Sequence, residues 1–228
     1  MSNSPLVTYT RITNNKTSPR NHVIDTITIH CIVGQWTAKQ GCDYFATTKN
    51  QCSANYVVGK DGSIGLSVDE KDRAWTSGGK LSVNGITGSM NDHRAITIEV
   101  ASDTTSPYKV TDAAYKSLIN LLVDICQRNN IKELKWKADK SLIGQVDKQN
   151  MTVHRWFANK ACPGDYLYNL HSQIAKEVNE RLNKGSTSDS KVIYRVQVGA
   201  FSKKSNADAM LKKLKAAGFD GFITTVSK

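Results

Sequence analysis

The segment Ile24–Ile32, with the sequence IDTITIHCI, alternates apolar and polar side chains as a half-buried β-strand does. Its central isoleucines lie on one face, and His30 lies on the opposite, polar face. The segment Ala95–Ala101, AITIEVA, repeats the alternation and puts Glu99 on its polar face. If the two strands share a sheet, we expect His30 and Glu99 to project into one groove.

Further strands and helices alternate along the first 182 residues. Leucine and isoleucine at helical spacing predict a long helix after Thr111, which is a suitable N-cap. The additional predicted elements are helices at Ala38–Thr48, Asp112–Asn129 and Tyr166–Leu182 and strands at Ala54–Gly59 and Ser63–Val68. Strands interleaved with helices indicate one α/β domain.

The stretch Asn183–Ser190, NKGSTSDS, lacks large apolar residues and has the composition of a flexible linker. We therefore divide the chain into a domain over residues 1–182, a linker over residues 183–191 and a small module over residues 192–228.

The small module has its own βαβ pattern. VIYRVQVGAF, residues 192–201, predicts a strand, and Phe222–Val226 predicts a second one. Between them Ser205–Ala217 predicts an amphipathic helix, with Ser205 and Asp208 as a capping box and Gly218 as its stop.

Composition limits the class of protein and its partners. The 228 residues are 39% hydrophobic and 22% charged, which is typical of a globular chain and argues against disorder. No apolar run approaches the roughly 18 residues of a membrane span, so we expect no membrane insertion.

The formal net charge is +11, of which +5 falls on the 43 residues after Gly185. Such a surface suits a negatively charged partner, which could be nucleic acid, an anionic lipid surface or an anionic cell-wall polymer. The sequence has no RNA-recognition signature or zinc-finger spacing, so we do not expect nucleic acid as a partner. A solvated charged face is the alternative interpretation.

Residues 1–15 lack the basic and then apolar pattern of a secretory signal. Five cysteines are an odd number without the spacing of a disulfide framework. Both features predict synthesis in a reducing cytoplasm. Pairing of Cys42 with Cys52 after release into an oxidising environment stays open.

Three potential metal ligands stand out: His30, His154 and Cys162. Imidazole and thiolate are preferred zinc ligands, and three protein ligands leave a fourth position open, as in catalytic sites. On spacing alone the signal is weak, because a histidine followed eight residues later by a cysteine also occurs by chance.

Four segments in this order, TITIHC, SANYVVGKDGSI, AITIEVAS and HRWFANKACPGD, resemble the zinc-dependent N-acetylmuramoyl-L-alanine amidases of the type-2 group. That group is related to peptidoglycan recognition proteins and to phage lysozymes of the amidase type. The resemblance implies a central mixed sheet flanked by helices. It also implies one zinc ion per chain, held by His30, His154 and Cys162, although many members carry Asp in place of Cys162.

The resemblance implies roles for three further residues. Glu99 would act as the general acid and base of amide hydrolysis; a glutamate facing solvent is the alternative. Lys160 and Tyr56 match a lysine and a tyrosine of the phage branch, which implies that both hold the substrate oxygen. A surface lysine and a half-buried strand tyrosine are the alternatives.

Two tryptophans are candidates for substrate binding. Relatives often have a Trp-His pair before a glycine, whereas this chain reads Trp75-Thr76-Ser77-Gly78. Trp75 can still line the groove, but we do not expect a substrate contact from Thr76. Trp36 follows the strand of His30 and is suited to stacking on a sugar, with core packing as the alternative.

The C-terminal module resembles the first half of a SPOR domain, which binds peptide-stripped glycan strands, most specifically at YRVQVGAF. A SPOR domain has two βαβ halves, so we expect two chains to pair their halves in a homodimer. A truncated, disordered or monomeric remnant is the alternative.

Together these features predict a hydrolase of the bond between N-acetylmuramic acid and L-alanine in peptidoglycan. It would be made in the cytoplasm and act on the cell wall after release, as a phage endolysin does. A bacterial autolysin, a non-catalytic recognition module and a nucleic-acid binder are the alternatives.

Overall fold

The computed structural model describes residues 2–187 and 198–225. The chain divides into two compact units, Met1–Thr187 and Ser188–Lys228.

The first unit contains short strands and two long ones. The strands are β1 (Tyr9–Thr10), β2 (Lys16–Thr17), β3 (Thr26–Val33), β4 (Tyr56–Val58), β5 (Ile64–Leu66), β6 (Arg73–Ala74), β7 (Ser82–Val83), β8 (Ile86–Thr87), β9 (Ala95–Ser102) and β10 (Met151–Thr152). The long strands β3 and β9 correspond to the segments Ile24–Ile32 and Ala95–Ala101, for which the alternation of side chains predicted strands.

Six of these strands form one sheet in the order β1-β5-β4-β9-β3-β10. Strand β4 runs antiparallel to β5, and every other neighbouring pair is parallel. The sheet is therefore mixed, as predicted. Two small antiparallel pairs, β2-β6 and β7-β8, lie outside it.

Helices accompany the sheet in the described part of the first unit. They are α1 (Ala38–Thr47), α2 (Gly88–Arg94), α3 (Asp112–Arg128) and α4 (Gly164–Thr187). The Thr111 hydroxyl accepts the N–H of Ala114, so the predicted cap of α3 is confirmed. Helix α4 continues from the predicted end at Leu182 to Thr187, so the first residues of the predicted linker are helical.

Burial separates the two faces of the central sheet. One face is covered by α3 and α4 and holds the main core, which includes Ile29, Tyr56 and Ile98. The opposite face carries His30 and Glu99, which are register partners on β3 and β9. The alternation predicted from the sequence therefore sets which side chains can reach a site.

His171 on α4 lies on a flank of the helix that is rich in polar residues, and it is nevertheless fully buried. Its ring lies 4.5 Å from that of Trp136. The segment before β10 covers this flank, because the Asn179 side chain bonds to the backbone N–H and C=O of Leu134.

The second unit contains α5 (Lys204–Ala216). The predicted capping box is wrong, because the N-cap is Lys203 and Ser205 lies inside the helix. Gly218 follows the helix with φ +85°, a conformation that glycine adopts without strain. No residue of α5 is buried within the described part of the chain.

The two strands predicted for the second unit stay predictions. Residues 198–201 and 222–225 are described as neither helix nor strand, and the rest of both predicted strands, together with residues 188–191 of the linker, lies outside the described residues.

All five cysteines are free, including Cys42 and Cys52. Within residues 2–187 and 198–225, no helix combines the length and the apolar character needed to cross a membrane.

Candidate active site

Two adjacent strands bring the candidate histidines together. Strand β10 pairs in parallel with β3, with Thr152 opposite Thr28 and their hydroxyls 2.7 Å apart. A short 3-10 turn, His154–Trp156, follows β10 at once. His154 is thereby carried to the end of β3, where the ring centroids of His30 and His154 lie 5.1 Å apart.

Cys162 reaches the same point from the loop between this turn and α4. Its Sγ lies 3.3 Å from Nδ1 of His30. Arg155 holds the loop, because its Nη2 donates to the carbonyl of Ala161 at 2.6 Å. One potential ligand atom from each of His30, His154 and Cys162 lies within 4.8 Å of the others, so the structure brings together all three candidate ligands.

Each histidine also has a partner on its far side. Nε2 of His154 lies 3.2 Å from the carbonyl oxygen of Gly78. A carbonyl only accepts, so this nitrogen carries the proton and Nδ1 keeps a free lone pair. Nε2 of His30 lies 3.3 Å from the hydroxyl of Ser77. Sequence reasoning did not identify Ser77 or Gly78, because neither residue type signals a site by itself.

Burial sets the charge states of the candidate ligands. It lowers the pKa of His30 well below its ordinary value, with a smaller effect from His154. It also lowers the pKa of His154. Both imidazoles are therefore neutral near pH 7, which is the form that binds metals. Burial raises the pKa of the Cys162 thiol, so that group must lose a proton before it can act as a thiolate ligand.

Glu99 is the carboxylate of the site. Its Oε1 lies 3.9 Å from Nδ1 of His30, and its side chain is 16% exposed. Its Oε2 has no hydrogen-bond partner among the described residues. Burial, with a smaller effect from Cys31, raises the pKa of Glu99 to about 8, so it can both hold and release a proton near neutrality.

Glu99 and His154 line one groove together with Trp36 and Tyr44, whose ring centroids are 5.3 Å apart. The cavity of the groove is about 290 Å³. Trp36 lines the groove and also packs against the small cluster that contains Ile32 and Phe45, so stacking on a sugar stays a prediction. Thr76 also lines the groove, but its hydroxyl bonds to the Ser53 carbonyl at 2.7 Å and so has a partner within the protein.

Trp75 does not line this cavity. Its indole N–H donates to the Thr17 hydroxyl at 2.9 Å, and its ring is half-buried. The expected groove contact from Trp75 is therefore not supported by its position.

The role expected for Tyr56 is wrong. Tyr56 is the register partner of Ile98, so it shares the face opposite to Glu99 and is fully buried in the main core. Its hydroxyl donates to Oε1 of Glu70 at 2.6 Å and accepts the N–H of Ser4 at 2.9 Å. Burial and Glu70 raise the pKa of Tyr56, so its hydroxyl stays neutral. Because the side chain lies on the core face of the sheet, the hydroxyl cannot reach the groove.

Lys160 is exposed on the loop that precedes Cys162. Its charge is close enough to His154 to contribute to the lowered pKa of that imidazole. This position is compatible with the expected contact to a substrate oxygen beside His154.

The fold and the site define a class of protein: an α/β domain whose mixed sheet carries a His-His-Cys group and a buried carboxylate in one groove, the arrangement of a hydrolytic centre. Residues 20–165 match the family model described as N-acetylmuramoyl-L-alanine amidase, and residues 173–228 match that of the SPOR domain. The first match covers more than half of the chain, and the protein therefore belongs to the N-acetylmuramoyl-L-alanine amidase family.

A curated relative supports this assignment. The sporulation-specific N-acetylmuramoyl-L-alanine amidase of Bacillus subtilis (strain 168) is 35% identical over 66 residues. The match covers 29% of this chain and 26% of the relative, so most of that protein lies outside the similarity.

Solved structures share the fold at low identity. AmpD matches with a TM-score of 0.55 and 18% identity over 75% of this chain and 96% of its own. The Staphylococcus aureus hydrolase AmiA, solved with its ligand, matches with a TM-score of 0.55 and 16% identity over 82% of this chain and 87% of its own. A mutant endolysin from Bacillus subtilis matches with a TM-score of 0.53 and 16% identity over 75% of this chain and 99% of its own.

Proposed function

We propose that the protein is a zinc-dependent amidase that cleaves the bond between the lactyl group of N-acetylmuramic acid and L-alanine in peptidoglycan. The observation that carries the proposal is the convergence of His30, His154 and Cys162 beside Glu99 in an open groove, in a member of this family.

The donor set fits zinc. Two imidazole nitrogens and one sulfur are ligands that Zn²⁺ prefers, and three protein ligands are typical of catalytic sites. The unpartnered Oε2 of buried Glu99 would also gain a favourable interaction from a nearby cation. When bound, zinc would polarise the scissile carbonyl and make an attacking water more acidic.

Glu99 moves the proton in this mechanism. Its carboxylate takes a proton from the attacking water and later gives it to the nitrogen of the leaving L-alanine. One group can serve both steps, because the proton it takes from the water in the first step is the proton it gives to the leaving nitrogen in the second. Its place on β9, opposite His30 on β3, keeps the carboxylate at a fixed distance from the ligands.

Lys160 and the aromatic end of the groove act on the substrate. The ammonium group of Lys160 would stabilise negative charge on the substrate oxygen beside His154. Trp36 and Tyr44, which line the same groove as Glu99 and His154, would offer aromatic faces to a sugar ring of the substrate. Trp75 and Tyr56 have no part in this proposal.

The SPOR domain would hold the enzyme on its substrate. Two features support binding to the cell wall: the domain type, and the excess of five positive charges after Gly185, which also suits anionic wall polymers. We further propose that two chains associate through this module and that the protein acts on the wall as an endolysin or an autolysin.

The test is cell-wall hydrolysis by the purified full-length protein loaded with zinc. We expect new L-alanine amino termini together with glycan strands that carry free lactyl carboxylates, and no such products from Glu99→Gln. A protein that binds zinc and walls yet releases neither product would instead be a recognition module. Strong, salt-sensitive binding to DNA or RNA without any binding to walls would favour the nucleic-acid alternative.

A further inference from the structure

The segment Thr76–Gly79, here called the loop, contacts both candidate ligand histidines. Ser77 lies against Nε2 of His30, and Gly78 accepts from Nε2 of His154. One short segment, through the Ser77 hydroxyl and the Gly78 carbonyl, thus occupies Nε2 of each ring and leaves Nδ1 without a partner from the loop.

Asp92 on α2 holds the loop. Its Oδ2 accepts the N–H of Thr76 at 3.0 Å and that of Ser77 at 2.8 Å, and the residue is 1% exposed. The Ser77 hydroxyl also favours the ionised carboxylate, against a larger opposing effect of burial. The other oxygen, Oδ1, is buried and has no partner among the described residues.

Burial of the Asp92 carboxylate as a charged group is energetically unfavourable at this position. Asp92 forms no close ion pair in the described part of the chain. Arg73 and Arg20 favour its ionised form from a distance, but burial of the charge is the larger effect and is unfavourable. The single amide oxygen of an asparagine could accept the same two N–H groups. The negative charge of Asp92 is therefore not needed to hold the backbone of the loop, and we look for its role in the Ser77 hydroxyl and the histidine beside it.

Backbone contacts fix the loop on two sides. A Cβ on Gly88, the first residue of α2, would lie 1.7 Å from the carbonyl oxygen of Ser77. A Cβ on Gly79 would lie 2.1 Å from that of Phe157. Only glycine allows such approaches, so the loop is clamped between α2 and the segment that follows His154.

We propose that Asp92 is a positioning residue for the metal site: it holds the loop so that Ser77 and Gly78 keep the protons of both ligand histidines on Nε2. The ring nitrogens Nδ1 of His30 and His154 are then free to bind the ion. The Ser77 hydroxyl, which favours the ionised form of Asp92, accepts from Nε2–H of His30. This inference rests on the proposed zinc site.

Outer partners of this kind orient ligand histidines and raise their basicity, and losing one typically costs about 10–100-fold in metal affinity. Ser77→Ala removes the link to His30 and leaves both backbone bonds to Asp92. Asp92→Asn keeps the shape and removes the charge. Asp139→Asn is the matched control, because Asp139 accepts the N–H of Ser141 at 2.8 Å in an exposed turn outside the site.

Two measurements test the proposal on the full-length protein. Competition with a chromophoric chelator gives the zinc Kd, and ¹⁵N-detected NMR of the metal-free protein reports which ring nitrogen of each histidine is protonated. We expect Kd to rise about 10–100-fold in Ser77→Ala and Asp92→Asn. We also expect His30 to lose its preference for the Nε2–H form, with Asp139→Asn unchanged in both measurements.

The proposal is overturned if both variants keep the zinc Kd within twofold, or if Kd rises while the tautomers of His30 and His154 stay as in the parent protein. If Asp92→Asn does not fold, Ser77→Ala decides by the same two readings. A parent protein that binds no zinc would refute the proposed function alone, since the tautomers of the metal-free protein still test the role of Asp92.

Discussion

His30 and Glu99 face each other as register partners on adjacent parallel strands, with Nδ1 of the imidazole 3.9 Å from Oε1 of the carboxylate. Both side chains project from the interior of a sheet, where backbone pairing fixes their spacing. Sites built on strands hold their geometry better than sites built on loops. The pair therefore forms the rigid part of the site, to which the 3-10 turn after β10 brings His154 and the segment before α4 brings Cys162.

Glu99→Gln should keep zinc and lose activity. The amide has nearly the shape of the carboxylic acid but cannot take a proton from water, so we expect kcat to fall about 10²–10⁴-fold. Metal analysis and the rate of release of L-alanine amino termini, measured on the same sample, check both parts. A loss smaller than tenfold would show that Glu99 is not the proton shuttle.

Cys162→Ser should lose zinc, because a neutral hydroxyl is a far poorer ligand than a thiolate. The control variant Cys52→Ser changes a half-buried thiol that is not a candidate ligand, and it should keep its zinc. Zinc content after dialysis against a weak chelator distinguishes the two variants. Zinc retained by Cys162→Ser at the level of the parent protein would contradict the ligand assignment.

Zinc affinity should rise with pH. Burial raises the pKa of Cys162, so below that pKa each bound ion displaces a thiol proton, whereas the imidazoles are already neutral. The apparent Kd should therefore fall at least about tenfold for each pH unit gained between pH 6.5 and 8.5, because a bound cation also favours loss of the Glu99 proton, whose pKa is about 8 without metal. Isothermal titration in buffers of different ionisation enthalpy counts the released protons. A Kd that does not change over this range would show that no thiol ionises on binding.

Strand alternation predicted the His30–Glu99 pair because it fixes the face of each side chain before any contact is known. The alternation of β3 and β9 does not show which face a residue of the adjacent strand β4 occupies, because that depends on the register between β4 and β9. Tyr56 lies within a family-like segment, but its register partner is Ile98, which puts it on the core face. Asp92 gave no signal in the sequence, because its partners are backbone N–H groups 15 and 16 residues away.

Lys160→Ala should lower kcat and spare metal content. An ammonium group that stabilises the substrate oxygen contributes up to about 10²–10³-fold in rate, while an exposed lysine contributes little to stability. Lys148→Ala, an exposed lysine outside the groove, serves as the control. An unchanged kcat would make Lys160 an ordinary surface residue.

Acid should destabilise the protein partly through His171. Burial lowers its pKa to about 4, against about 6.5 in the unfolded chain. The unfolded state therefore takes up a proton first, so stability falls as the pH drops from 6.5 toward 4 and is unaffected by this group below that range. Between pH 7 and pH 5 the loss is about 2 kcal/mol.

Urea unfolding of the metal-free protein at both pH values measures this loss. His171→Gln should show a smaller pH dependence than the parent protein, whereas His22→Gln, which changes an exposed histidine, should keep it. Equal pH dependence in all three proteins would mean that His171 does not titrate between the folded and unfolded states.

The C-terminal unit should associate into a homodimer. Helix α5 has no buried residue in the described part of the chain, and Phe219 and Phe222 are 64% and 72% exposed. Ala207, Met210, Leu211 and Leu214 form one half-buried apolar face of the helix. An apolar helix face of this kind, in a unit that matches a SPOR domain, is stabilised when a second copy covers it.

Light scattering at tens of micromolar protein should therefore give a dimer for the full chain and a monomer for residues 1–187. Leu214→Glu places a charge on the apolar face and should shift the full chain to monomer, because burying that charge is unfavourable. Lys212→Glu lies on the exposed flank of the same helix, carries the same new charge and should remain dimeric. A full chain that is monomeric, or a fragment 1–187 that stays dimeric, would show that α5 does not pair the chains. Dimerisation that survives Leu214→Glu would place the contact elsewhere in the second unit.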